Sequence, residues 1–219
     1  MSDQKITDLT ADTSPTTDDL IVTVNSPSGT PANRKVAISD LFTLAGFGTV
    51  LLEQHTASSS ASLDFTTAIT STYDRYIFDL VGLVPATSGV DLWMKVSTDG
   101  GSTWIAGSSY FYSGRYTSSN ATTGDSESSE GGAKIRLNSS QSNASTAFCS
   151  GTVNLFHPGS TALHKSTLMD LSYKHTDTHW YRFTNLGGYA ATTAVNAVQF
   201  LYSSGNIASG TVRCYGVRK

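Results

Sequence analysis

At 219 residues the chain suits one large domain with a small appendage and is too short for a second domain of enzyme size. Charged residues are 14% of it and the net charge is −3, so no basic excess exists to neutralise phosphates, and nucleic acid is not an expected partner. Ser, Thr and Gly are plentiful while β-branched and aromatic residues recur in short runs, a composition that predicts an all-β fold. No apolar run approaches the roughly 20 residues that span a bilayer, so no membrane insertion is expected. The start Met1-Ser2-Asp3-Gln4 lacks the basic and apolar segments of a signal peptide, so synthesis and retention in the cytoplasm of the producing cell are expected. The two cysteines, Cys149 and Cys214, sit inside strand-like runs and read as free, buried thiols rather than a disulfide framework.

Residues 1–46 differ in character from the rest. Leu20-Ile21-Val22-Thr23-Val24 predicts a short strand, Ser26 to Pro31 a loop set by proline and glycine, and Arg34-Lys35-Val36-Ala37-Ile38 a returning strand. Ser39 then caps a short helix through Asp40 to Ala45, with Gly46 at its exit. A hairpin and one or two helical turns bury too little to hold themselves folded, so Leu20, Val22, Val24, Leu41, Phe42 and Leu44 need another surface to cover them. Two readings stand: a docking element for a partner, or an extension packed on its own domain.

After a hinge at Gly46-Phe47-Gly48, residues 47–219 read as one domain. Thr49 to His55 and Ala61 to Phe65 are expected to pair across a Ser58-Ser59-Ser60 turn. Asp74 to Val84 and Val90 to Ser97 are strands, the second with Leu92, Met94 and Val96 on one face. Asp99-Gly100-Gly101-Ser102 signals a hairpin turn, with Thr103-Trp104-Ile105 starting the returning strand. Residues 117–131, with no apolar side chain larger than Ala121, read as a long exposed loop of the kind that binds or is ordered by a neighbour. Ala147 to Phe156, Thr167 to Tyr173, His179 to Phe183, Val198 to Tyr202 and Thr211 to Val217 supply the remaining strands. Short strands divided by Gly, Ser and Pro turns describe an antiparallel sandwich of jelly-roll type, and no solenoid or propeller repeat is present.

Chemistry-bearing residues are few. His175-Thr176-Asp177-Thr178-His179 offers nitrogen and oxygen ligands if the middle residues turn, but this falls short of a usual metal ligand set, and a polar turn flanked by histidines is the default. Asp125, Glu127 and Glu130 lack the regular oxygen spacing of a calcium loop. No Gly-x-Ser-x-Gly elbow and no phosphate loop occurs, so neither enzymatic activity nor a cofactor or metal is expected. Aromatics among small polar residues have the composition of a recognition surface, because rigid rings give contact area at low entropic cost. Tyr110, Tyr112, Tyr116, Trp104, Trp180 and Tyr189 are therefore the receptor-binding candidates, with Phe111 in the same run. The competing reading puts these rings in the core or in a subunit interface.

Two stretches carry a family resemblance. The pattern Lys5-Ile6-Thr7-Asp8-Leu9, Asp19 to Val24 and Arg34 to Leu41 resembles the attachment segment that opens many tail-fibre and head-fibre proteins of tailed bacteriophages. Phe78 to Ala86 with Ser97 to Trp104, and the ending Ser204 to Gly216, are similar to a phage appendage domain. The resemblance implies a virion surface appendage, a homotrimer held by its N-terminal segment to tail or capsid proteins and displaying a sandwich tip. It lacks the length and repeats of the family's sugar-cleaving members. The expected function is a short tail fibre attaching to a host-surface glycan or protein. A head fibre or capsid decoration protein of the same fold is the alternative, and a free carbohydrate-binding module is a further one.

Overall fold

The computed structural model describes residues 16, 19–25, 32–38, 48–120 and 124–217. The chain divides into two compact units, Met1–Gly48 and Thr49–Lys219. In the first, β1 (Leu20–Asn25) pairs antiparallel with β2 (Ala32–Ala37), in register from Leu20 opposite Ala37 to Asn25 opposite Ala32. The amide of Ile38 donates to the Asp19 carbonyl at 2.9 Å and closes the open end of this ribbon. The helix expected over residues 39–45, with Leu41, Phe42 and Leu44, lies outside the described residues.

The second unit contains β3 (Thr49–Ser60), β4 (Leu63–Phe65), β5 (Arg75–Pro85), β6 (Leu92–Ser97), β7 (Tyr110–Ser118) and β8 (Asp125–Gly132). It continues with β9 (Ile135–Arg136), β10 (Cys149–Phe156), β11 (Lys165–Lys174), β12 (Trp180–Tyr189), β13 (Ala197–Tyr202) and β14 (Ile207–Val217). One sheet has eight strands in the order β3-β14-β5-β10-β11-β12-β7-β8, and the other has four in the order β4-β13-β6-β9. Every pairing is antiparallel.

The alternation of apolar and polar residues assigns each strand an inner face. In β11, Thr167, Met169, Leu171 and Tyr173 are buried while Ser166, Leu168, Asp170 and Ser172 are exposed, the period of two expected of a sheet covered on one side. The sheets meet through Phe78 of the large sheet and Phe65 and Phe200 of the small one, whose rings pack edge-on at 5.2 to 6.1 Å. Cys149 and Cys214 are free and buried on this inner face, and burial pushes both thiols up to about 12, which leaves them unreactive.

Buried polar groups also join the two sheets and anchor loops to them. Gln141 is fully buried; its Nε2 donates to the Leu83 carbonyl of β5 at 2.8 Å, and its Oε1 accepts from Tyr202 of β13 at 2.9 Å and from Asn138 at 2.6 Å. Lys165, also fully buried, donates through Nζ to the carbonyls of Ser160, Leu163 and Thr192 at 2.5, 2.7 and 2.9 Å, which ties two loops to the start of β11.

Three local expectations are corrected. The segments either side of Ser58–Ser60 do not pair with each other: β3 runs through Ser60 and pairs with β14, while β4 joins β13 in the other sheet. Asp99-Gly100-Gly101 does turn the chain, with both glycines at positive φ, but Thr103-Trp104-Ile105 does not return as a strand. Asp99 takes hydrogen bonds from Ser97 and Thr103 and holds a closed loop. Ile105 makes a single bond back to β6, its amide donating to the Val96 carbonyl at 2.9 Å; the rest of that edge is taken by β9 at Trp93 and Met94 and by the Tyr110 hydroxyl, which accepts from the Val96 amide at 2.9 Å. Finally, Asp125 to Gly132 is a strand, not loop: β8 pairs with β7 from Tyr110 opposite Gly132 to Tyr116 opposite Asp125. As an edge strand it has water on one side, so backbone pairing rather than apolar pattern makes it a strand, and its carboxylates suit an edge that must not add further strands.

Candidate functional site

The large sheet is wider than the small one, and its β12-β7-β8 end carries most of the candidate aromatics. Successive residues of β7 face opposite ways, so Tyr110, Tyr112 and Tyr116 turn inward while Phe111, Ser113, Arg115 and Thr117 turn outward. Tyr110 and Tyr189 are buried against each other with ring centroids 6.0 Å apart, and burial raises the Tyr110 hydroxyl to about 12. Both belong to the core and are withdrawn as receptor contacts. Tyr112 and Tyr116 are half-buried; their hydroxyls donate to Glu127 at 3.2 Å and Asp125 at 3.3 Å. Glu127 also pairs with Arg136, whose guanidinium reaches Asp91 at 3.1 Å. Two of the three carboxylates considered for calcium are thus engaged with side chains.

Trp104 is half-buried against the Gly101 turn. Trp180 is 38% exposed and meets Phe148 edge-on at 5.0 Å, forming a small aromatic platform on the outer face. Beside it a depression of about 280 Å³ is lined by Thr117, Ser118, Ser119, Ser172 and Arg182. A second depression, of about 410 Å³, lies further along the same strands, lined by Phe111, Ser113, Ser128, Ser129, Glu130 and Leu186. The structure turns Phe111 outward between two inward tyrosines. Leu186 and Phe148 carry no sequence signal of their exposure.

The His175–His179 segment is a turn that draws its three polar side chains together. His175 Nδ1 and His179 Nδ1 stand 3.1 and 3.5 Å from the same Asp177 oxygen, and Tyr181 donates to the other at 2.7 Å. His175 Nδ1 also accepts from the Asp177 amide at 3.2 Å, whereas His179 Nδ1 is buried without a hydrogen-bond partner. Among the described residues no group of three or more His, Cys, Asp or Glu is arranged to hold a metal ion. Partial burial opposes ionisation of Asp177, yet the Tyr181 hydroxyl, the His179 amide and the His175 imidazole hold its carboxyl at about 2. Asp99 is held at about 2 by the Ser97 hydroxyl and by Thr103.

Folded-state carboxyl values this low mean stability that is complete above the unfolded value near 4 and lost as pH falls through about 2. Melting temperature should therefore fall between about pH 4 and 2, and the double variant Asp99→Asn, Asp177→Asn should show a shallower fall over that window. An unchanged slope in the variant would assign acid sensitivity to other groups.

No family model matches the chain. No curated protein and no solved structure matches it either.

Proposed function

We propose that the chain is a non-enzymatic structural protein of a bacteriophage virion. It is a short, homotrimeric tail fibre anchored by residues 1–46 and presenting a jelly-roll-like tip at 47–219 to the host surface. The carrying observation is the state of the first unit. Its ribbon is two strands, and on β1 Leu20 is 55% exposed and Val22 74% exposed, with Ile21 between them exposed as well. An isolated two-stranded ribbon is marginally stable in water, and apolar residues open on consecutive positions expose both of its faces. Such an element suits docking against another virion protein, with Val24 of the same strand and Leu41, Phe42 and Leu44 further along the anchor.

The tip supplies the other half of the reading. Its aromatic platform at Trp180 and Phe148 and its hydroxyl-lined depressions lie on the outward face of the large sheet, available to a surface the particle meets. Several tips on one particle convert weak single contacts into strong attachment, provided the geometry lets them engage together. Deleting residues 1–46 tests the anchor. Particles assembled with the truncated chain should lack it, while the isolated sandwich stays folded and soluble. Incorporation of the truncated chain at the normal level would overturn the anchoring role.

A further inference from the structure

The two depressions on the outer face are built alike. Each has an aromatic ring, a border of serine or threonine hydroxyls and one charged side chain: Phe111 with Ser113, Ser128 and Glu130 in one, Trp180 with Thr117, Ser172 and Arg182 in the other. Both sit on the strand pair β7–β12, where Ser113 is opposite Leu186 and Thr117 is opposite Arg182. These two pairs stand four residue steps apart, about 13 Å, and the rings lie beyond them: Phe111 is opposite Gly188, eight steps along β12 from Trp180, or about 26 Å. Between them lie Arg115 and Thr184, also opposite each other and both exposed.

The Phe111 ring is fixed in place by its partner across the ladder. Gly188 stands opposite Phe111, and a Cβ there would come within 2.6 Å of Phe111 Cζ and 2.1 Å of the Lys165 carbonyl oxygen. Only glycine lets the ring lie down on the sheet at this point, leaving its other side to line the depression. At the far end Trp180 is held by Phe148 with its ring partly open to solvent.

A pyranose presents the matching chemistry: a C–H face that rests on an aromatic ring and hydroxyls that both donate and accept, as serine and threonine hydroxyls do. Repetition of one arrangement along a straight strand suits a polymer with a repeating unit. We propose that the outer face of β7 and β12 binds an extended bacterial surface polysaccharide, with sugar rings seated at Phe111 and Trp180 and several intervening sugars passing over Arg115 and Thr184. The proposal rests on the adhesive reading above and names its ligand class.

The test is an array of bacterial surface oligosaccharides, one to eight sugar units long, probed with the full chain and with Phe111→Thr, Trp180→Ala and Ser113→Arg, each checked for an unchanged melting temperature. Trp180 is at the surface and Ser113→Arg fills a depression without touching the core, so these two keep the test valid if Phe111→Thr unfolds. Binding should require several sugar units, and each variant should weaken it about tenfold. Binding of single sugars as tight as of long chains, or full binding by Trp180→Ala and Ser113→Arg, would overturn the site. A parallel assay on whole bacterial cells separates the levels of the argument. Cell binding abolished by protease and untouched by periodate would replace the polysaccharide with a protein while leaving adhesion intact. Absence of both glycan and cell binding would remove the adhesive reading and this proposal with it.

Discussion

Gln141→Leu will destabilise the sandwich by about 4 kcal/mol, because it strands three buried groups at once. The Leu83 carbonyl loses its donor, and the Asn138 amide and Tyr202 hydroxyl lose their shared acceptor. Tyr202 is nearly buried and Gln141 fully so, which leaves no direct route for bulk water to replace these bonds. Leucine matches glutamine in size closely enough that lost volume does not explain the effect. Urea unfolding measures it, and a drop of about 10 °C in melting temperature should accompany it. A change below about 1 kcal/mol would mean that the two sheets do not depend on this polar link.

Lys165→Met should cost about 3 kcal/mol by a related route. Three backbone carbonyls converge on one ammonium group, and methionine keeps the unbranched stem while removing every donor. Burial lowers the Lys165 pKa, so the ammonium sits in this site only because the carbonyls hold it. The effect should be local as well as global. Amide exchange in residues 158–164 and 190–195 should quicken more than in β10 or β14, since these loops lose their common anchor. Uniform exchange across the sandwich, with no loss of stability, would contradict the role assigned to Lys165.

Neither effect was legible in the sequence, and the reason is physical. Gln141 lies in a run of Asn and Ser between strands, where a polar residue is the ordinary occupant of a loop; its burial comes from two sheets closing over that loop. Lys165 shares the inward phase of Thr167, Met169, Leu171 and Tyr173, but a lysine at a strand's first position is ordinarily solvated, and the three carbonyls that hold its charge inside come from loops the alternation does not describe. The strands themselves were legible wherever one face is apolar, as in Leu92-Met94-Val96 and Met169-Leu171-Tyr173. A strand was lost where both faces are polar, as in β8, and the pairing was lost where sheet partners come from distant parts of the chain, as in β3 with β14. Alternation fixes which way a side chain points and leaves open which strand lies beside it.

The same limit governs the candidate site. Trp180 stands in the open as a recognition residue would, whereas Tyr110 and Tyr189 have the composition of such a surface and the position of a core. Composition cannot separate these cases, because aromatic rings serve both purposes. Phase along the strand separates them: on β7 the odd-numbered residues from Phe111 to Thr117 face out and the even-numbered ones face in.

The proposed place of this chain is a phage tail, where it would meet the host. Immunogold electron microscopy of particles from the producing cell, with antibody raised against residues 47–219, tests it most directly. A tail fibre will place gold at the tail end of intact particles, with label on every particle and none when residues 1–46 are deleted. Gold spread across the capsid would contradict the tail assignment, and particles without label would contradict the virion role itself.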